Sequence, residues 1–340
     1  MSETITMTAN IIAFIPTGGT IGTRAFNKSD LDYGSKGHGE YAGISELRRE
    51  LHVEELADDL GMEIQVEGVE PLDSTAITSE TWHKIAERCE ELSQDARVRA
   101  IVISHGTASL EETAFTLSLV LRLRIPVIIT GSMRPFNGES SDAEANLTAA
   151  FRVGARTYKK SPGVLVVFNK EIHLPRYVTK THTGNLDAFK SPDSKPIGTV
   201  NDDKVSFDQD PLLPEDLGFR MDMLKHLPKV DIVYSSAGND GTQVKESIKR
   251  GVKGIVSAGF APGLGTPGEE KAFAEARLKG IIVVQSSRVL SGEVVDSEDH
   301  KAVGIIAAGN LSPQAAKILL SFSLARKATL EKIGGIFSKI

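Results

Sequence analysis

The sequence predicts an α/β protein with a mainly parallel sheet, arranged in two units, and three observations carry that expectation. Short apolar, β-branched runs recur along the chain, and most show no polar alternation, as strands covered on both faces do. Amphipathic stretches of helical length separate many of these runs, and strand alternating with helix builds a parallel sheet. With 340 residues the chain exceeds the roughly 100–200 residues of one domain, so two domains are expected.

In chain order, the first strand is expected at 11–15, where Ile11, Ile12, Phe14 and Ile15 cluster, and the first clear amphipathic helix at 79–92. A strand at 100–104, a helix at 109–123, a strand at 127–130, a helix at 143–157 and a strand at 163–168 continue the alternation. The stretch 208–227 is rich in Asp, Pro and Leu and carries no strand signal, and a fresh strand begins at Val230. A helix at 242–250 and strands at 254–257 and 280–285 follow it. The expected division is therefore an N-terminal catalytic α/β domain over 1–215, a linker over 216–229 and a C-terminal α/β domain over 230–340.

Composition narrows the function classes. Apolar residues at 40% and charged residues at 25%, with no biased tracts, describe an ordinary globular chain. A formal net charge of -6 opposes nucleic acid or an anionic membrane surface as the partner, because either needs a basic footprint. Cys89 is the sole cysteine, which excludes an intrachain disulfide framework and suits a half-buried helix position in a reducing compartment. The first residues lack a positive segment, and the apolar run at 11–15 is too short for a signal core. No segment reaches the roughly 18 apolar residues of a membrane span, so a cytoplasmic protein is expected.

Open α/β sheets place ligands at the carboxyl ends of strands, and three turns there are chemically loaded. They read Thr17-Gly18-Gly19-Thr20-Ile21-Gly22, His105-Gly106-Thr107-Ala108-Ser109 and Thr130-Gly131-Ser132-Met133-Arg134-Pro135. Glycine beside threonine after a strand is ordinarily turn and capping chemistry. Two such hydroxyls facing one pocket would suit an activated-nucleophile mechanism with backbone N–H groups near Thr17 and Thr107 as the oxyanion hole.

These motifs, TGGTIG at 17–22, HGTASLEETAF at 105–115, TGSMRP at 130–135 and VTKTHT at 178–183, resemble the L-asparaginase/glutaminase family in sequence and order. The likeness continues through DST at 73–75, NLDAFKSP at 185–192, IVSAG at 255–259 and SSRV at 286–289. The resemblance implies a larger N-terminal domain with a flavodoxin-like parallel sheet and a smaller C-terminal Rossmann-like α/β domain. It implies cofactor-independent hydrolysis of the side-chain amide of L-asparagine-like substrates, with Thr17 as the nucleophile and Thr107 and Lys180 as its activating partners. It places Ser74 and Thr75 against the substrate's α-carboxylate, with Gly106 and the residue at 108 on the substrate-facing turn. A lid after the first strand would supply a tyrosine, for which Tyr33 is preferred over Tyr41. A homo-oligomer, dimer or tetramer, would complete each site across the subunit interface, with Glu298 as the contributed acid.

One position departs sharply. The family has an aspartate where this chain has Ala108, and a methyl group neither accepts a hydrogen bond nor carries charge. Lys180 would lose a counter-ion, and recognition of an α-ammonium would weaken. Three readings follow: an asparaginase disabled at this position, whether engineered or naturally inactive; a divergent hydrolase of an amide or lactone that lacks an α-ammonium; and a small-molecule binding homologue without turnover. Glu111 is a candidate substitute acid, although a carboxylate in a first helical turn is commonly there for the dipole.

Other signals read as structural. Gly263-Leu264-Gly265-Thr266-Pro267-Gly268 satisfies GxGxxG, but the next strand ends in Gln285 and Ser286 where a dinucleotide site needs an acid. The eight histidines show no metal-ligand spacing, so neither a metal nor another cofactor is expected. Arg134 and Asp142 read as loop braces, and His105 and His182 as residues that orient their neighbours.

Overall fold

The structure is a computed structural model that describes residues 10–29, 39–68, 70–208, 211 and 215–340. It divides into two compact units, the first including Lys195–Glu215 and everything described up to Ser191, the second Pro192–Ser194 with Asp216–Ile340.

In the first unit the elements run β1 (Ile11–Pro16), β2 (Thr23–Ala25), β3 (Gly39–Tyr41), α1 (Ile44–Glu50), α2 (Val53–Leu60), β4 (Glu63–Val66) and α3 (Ser79–Leu92). There follow β5 (Val98–Ser104), α4 (Leu110–Val120), β6 (Val127–Thr130), α5 (Ala143–Ala155), β7 (Val164–Phe168) and β8 (Glu171–His173). The unit closes with β9 (Thr179–Lys180), β10 (Phe189–Lys190), β11 (Gly198–Asn201) and β12 (Lys204–Phe207). Eight of these strands form one sheet in the order β12-β11-β8-β7-β6-β5-β1-β4.

Five neighbouring strands, β4, β1, β5, β6 and β7, are parallel. Their lack of alternation follows from burial on both faces. Every residue of β1, β6 and β7 is buried. Ile12, Phe14, Val102, Ile128 and Leu165 pack with Leu147, Ala150 and Phe151 of α5, and Phe14 meets Phe151 edge-on at 5.4 Å. Helices α3 and α4 pack on each other and against β5, β6 and β7.

The sheet is mixed, and its antiparallel extension was not legible in the sequence. β8 pairs back on β7 through Asn169-Lys170, both with positive φ, 49° and 64°, as a two-residue hairpin turn requires. β11 and β12 continue the same way. These strands are only three or four residues long, too short to show a period.

In the second unit β13 (Val230–Tyr234), α6 (Thr242–Lys249), β14 (Gly254–Gly259), α7 (Pro267–Leu278), β15 (Ile282–Ser287), α8 (Glu298–Val303), β16 (Ile306–Ala307), α9 (Pro313–Ala325) and α10 (Leu330–Phe337) follow in turn. Its four strands are parallel in the order β13-β14-β15-β16. Val233, Ile255 and Val283 form a core with Val244 of α6 and with Ala272, Phe273 and Ala276 of α7. The strand expected at 280–285 begins at Ile282, because Gly280, with φ 78°, belongs to the turn that leaves α7. Among the described residues no helix is long and apolar enough to cross a membrane.

Phe151 is fully buried between α5 and the sheet. Phe151→Ala is expected to lower the stability of the full chain by about 3–5 kcal/mol, read as a shift of the urea midpoint, and a shift below about 1 kcal/mol would contradict this packing.

Candidate active site

Along the chain the parallel strands β4, β1, β5, β6 and β7 are the second, first, third, fourth and fifth. The winding direction therefore reverses beside β1, and the loops leaving the carboxyl ends there open a crevice, where α/β sheets hold ligands. The loops after β1, β4 and β5 meet in it.

Their meeting depends on two glycines. Gly19 has φ 77°, and a Cβ on it would stand 2.1 Å from the Cα of Gly106. A Cβ on Gly106 would fall 2.4 Å from Ser74 Oγ. The first and third loops thus lie backbone on backbone, and the Ser74 side chain packs against the same glycine. Ser74 ties two of them: its Oγ accepts from the Ala108 N–H at 3.2 Å, and its carbonyl accepts from Ser109 Oγ at 2.5 Å. Asp73 caps the single turn Ser74–Ala76, its Oδ1 accepting from both the N–H and the hydroxyl of Thr75 at 2.8 Å.

These loops and β3 line an open cavity of about 300 Å³, and its described lining residues all belong to the first unit. Gly19 and Thr20 line it from the first loop, Thr23 from β2, Gly39, Glu40 and Tyr41 from β3, and Asp73, Ser74, Thr107 and Ala108 from the other two loops. Burial raises the pKa of the Tyr41 phenol, and the nearby Gly19 N–H opposes that shift. Behind the wall, Lys180 on β9 donates from Nζ to Thr107 Oγ1 at 2.9 Å. Burial pulls the Lys180 pKa below lysine's ordinary value, and the carboxylate of Glu111 opposes that shift. Glu111 also holds β9 in place, accepting from Thr179 Oγ1 at 3.0 Å and from the Lys180 N–H.

Of the residues singled out in the sequence, Ser74, Thr107 and Ala108 come together on the cavity wall, Gly106 lies against Gly19 beside it, and Lys180 joins through Thr107. Thr75 turns its hydroxyl to Asp73. Thr17 is placed differently from the expectation. It is buried, and both its N–H and its Oγ1 donate to the Ser104 carbonyl, at 3.0 and 2.9 Å, so its hydroxyl is spent on the neighbouring strand. The other threonine of the same motif, Thr20, faces the cavity, because Gly18 and Gly19 with φ 101° and 77° reverse the chain between the two. The N–H groups of Thr17 and Ala108 are likewise already donated, to Ser104 and Ser74. Tyr33 lies outside the described residues, and Glu298 belongs to the second unit, where it pairs with Lys301 at 3.0 Å. Asp73 and Glu40 on the wall were not anticipated as site residues.

The remaining motifs brace. Asp142 accepts from the N–H groups of Met133 and Arg134, and Arg134 reaches the carbonyls of Glu139 and Ser140 at 2.8 and 3.2 Å. In the 263–268 loop, Gly265 and Thr266 donate their N–H groups to Glu270 and Glu269, so this helix N-terminus is already furnished with carboxylates that repel phosphate. Cys89 is fully buried, beyond the half-burial expected, and its thiol is pushed up to about 12 by desolvation.

Beneath the cavity, His105 takes part in a buried relay. Nδ1 lies 2.8 Å from the Gly106 carbonyl, which only accepts, so Nδ1 carries the proton. Nε2 then accepts from Thr113 Oγ1 at 3.0 Å, and that oxygen accepts from Trp82 Nε1 at 2.9 Å. Burial lowers the His105 pKa from 6.5 to about 4. Between those values the unfolded chain binds a proton that the folded chain refuses, so stability rises with pH through that window and is complete above it. The contribution lost on acidification is ~3 kcal/mol. His105→Gln is expected to lose about 2 kcal/mol less urea stability than the parent chain on going from about pH 7 to pH 5, and equal losses would contradict the buried neutral imidazole.

Comparison with known proteins gives a consistent assignment. The family described as "Asparaginase, N-terminal" matches residues 11–213, and "Glutaminase/Asparaginase C-terminal domain" matches 229–337. The chain is 35% identical to L-asparaginase 2 of Bacillus subtilis over 332 residues, 96% of this chain and 86% of that protein. It is 32% identical to L-asparaginase 2 of Escherichia coli over 336 residues, 96% of this chain and 92% of that protein. Its fold matches the crystal structure of a probable cytoplasmic L-asparaginase from Campylobacter jejuni, with a TM-score of 0.87 and 33% identity over 97% of this chain and 100% of the other. With both family domains matched in order over most of its length, the chain belongs to the asparaginase family.

Proposed function

We propose that this chain is a cofactor-independent amidohydrolase that cleaves the side-chain amide of L-asparagine-like substrates through an acyl-enzyme on Thr20, the role that the sequence alone gave to Thr17. The observation that carries this reading is the shared cavity: the Thr20 hydroxyl, which makes no hydrogen bond among the described residues, faces the same space as Thr107, whose Oγ1 is bonded to Lys180. The relatives' names, L-asparaginase and glutaminase-asparaginase, support the substrate class.

In this mechanism Thr20 Oγ forms a bond to the amide carbon while its proton passes by way of Thr107 to Lys180, whose ammonium form burial disfavours. The N–H groups of Thr20 and Thr107 receive the developing oxyanion. The carbon–nitrogen bond breaks as the nitrogen takes up the proton, and ammonia leaves. Water then attacks the ester, releasing the carboxylate product and restoring the Thr20 hydroxyl. Ala108 gives Lys180 no counter-charge on the cavity side, which slows proton transfer, and Glu111 remains the carboxylate that acts on Lys180.

The same resemblance supports a cytoplasmic homo-oligomer in which the exposed Glu298 is offered to a neighbouring copy's site.

Thr20→Ala is expected to lower ammonia release from L-asparagine by about a thousandfold or more, whereas Thr17→Ser, which keeps the bond to Ser104, stays within about tenfold of the parent. The reverse pattern returns the nucleophile to Thr17.

A further inference from the structure

We propose that Asp73 determines specificity in this site, receiving the α-ammonium of an asparagine-like substrate where position 108 offers only a methyl group. The inference rests on the amidohydrolase reading above and adds to it the group that recognises the substrate's cation.

The oxygen inventory of Asp73 is asymmetric. Oδ1 accepts twice from Thr75, whereas Oδ2 enters no hydrogen bond or ion pair among the described residues. The carboxylate is thus clamped at one oxygen while the other keeps its full accepting capacity, and the residue is an exposed part of the cavity lining. Thr75 works here as the residue that positions Asp73.

Ser74 fixes where a substrate would lie. Its Oγ already accepts from the Ala108 N–H, so the hydroxyl's own proton is available to an α-carboxylate. Asp73 adjoins Ser74 in the chain and Ala108 adjoins it through that hydrogen bond, so a substrate held at Ser74 carries its α-carbon past both. Of these two neighbours, Asp73 is the one that can meet the ammonium with charge.

The charge of the wall points the same way. Among the described residues that line it, the carboxylic acids are Asp73 and Glu40 and there is no lysine or arginine, which favours a ligand with a cationic group. Glu40 sits opposite Arg24 in the β2–β3 pair, but the guanidinium makes its ion pair with Glu46 at 2.6 Å. No described cation pairs with Asp73, and after burial its negative charge contributes to raising the Tyr41 pKa across the cavity.

The test compares L-aspartate with succinate, which differs only in lacking the ammonium, by calorimetric titration of the parent chain and of Asp73→Asn. Asparagine keeps the capping oxygen for Thr75, and Asp73→Ser, with another capping residue, repeats the test. The parent is expected to bind L-aspartate about ten- to a hundredfold more tightly than succinate, and both variants to bring that ratio to within about threefold of one. A preference that survives both substitutions overturns the assignment. Failure of the parent to bind either ligand overturns it too; ammonia release from L-asparagine by the parent would then spare the amidohydrolase reading, and silence would sink both.

Discussion

The contact between Gly19 and Gly106 sets the distance between the two hydroxyl-bearing loops. With no side chain at either position, the turn after β1 lies directly on the turn after β5, and the Ser74 hydroxyl fits against the same point. Any Cβ there would drive the loops apart by more than an ångström, and the cavity shared by Thr20, Ser74 and Thr107 would lose its shape. The sheet supplies the rest: the order of the parallel strands reverses beside β1, so the loops after β4, β1 and β5 converge at one end.

Around that contact the polar groups fall into two sets. One set is fully engaged and rigid: the Trp82–Thr113–His105 relay, the Asp142 brace and the clamp of Glu111 on β9. The other keeps unused capacity on residues that line the cavity: the Thr20 hydroxyl, the Ser74 proton and Asp73 Oδ2. Preorganised support beneath an uncommitted wall is what electrostatic catalysis needs, since the wall's groups then need not reorganise during reaction. Lys180, half-buried and drawn toward its neutral form, is bonded to Thr107, the neighbour of Ala108 in the chain.

Much of this was legible in the sequence. The unbroken apolar runs gave the parallel strands because burial on both faces removes alternation. The motifs located the Thr107, Ala108 and Ser74 wall and its partner Lys180. The choice between Thr17 and Thr20 was not legible, since both are threonines of one motif and only the positive φ of Gly18 and Gly19 decides which hydroxyl turns outward. The antiparallel strands escaped because three or four residues carry no period, and Asp73 escaped because an acid before a Ser-Thr pair reads as a turn cap, the role its Oδ1 does play toward Thr75.

The central claim is that the cavity is an amidohydrolase site held back at position 108. Ammonia release from L-asparagine, measured for this chain beside Ala108→Asp, tests it most directly. The account requires release to rise by about two to three powers of ten once a carboxylate faces Lys180. Silence from both proteins would contradict it, leaving the fold without the activity.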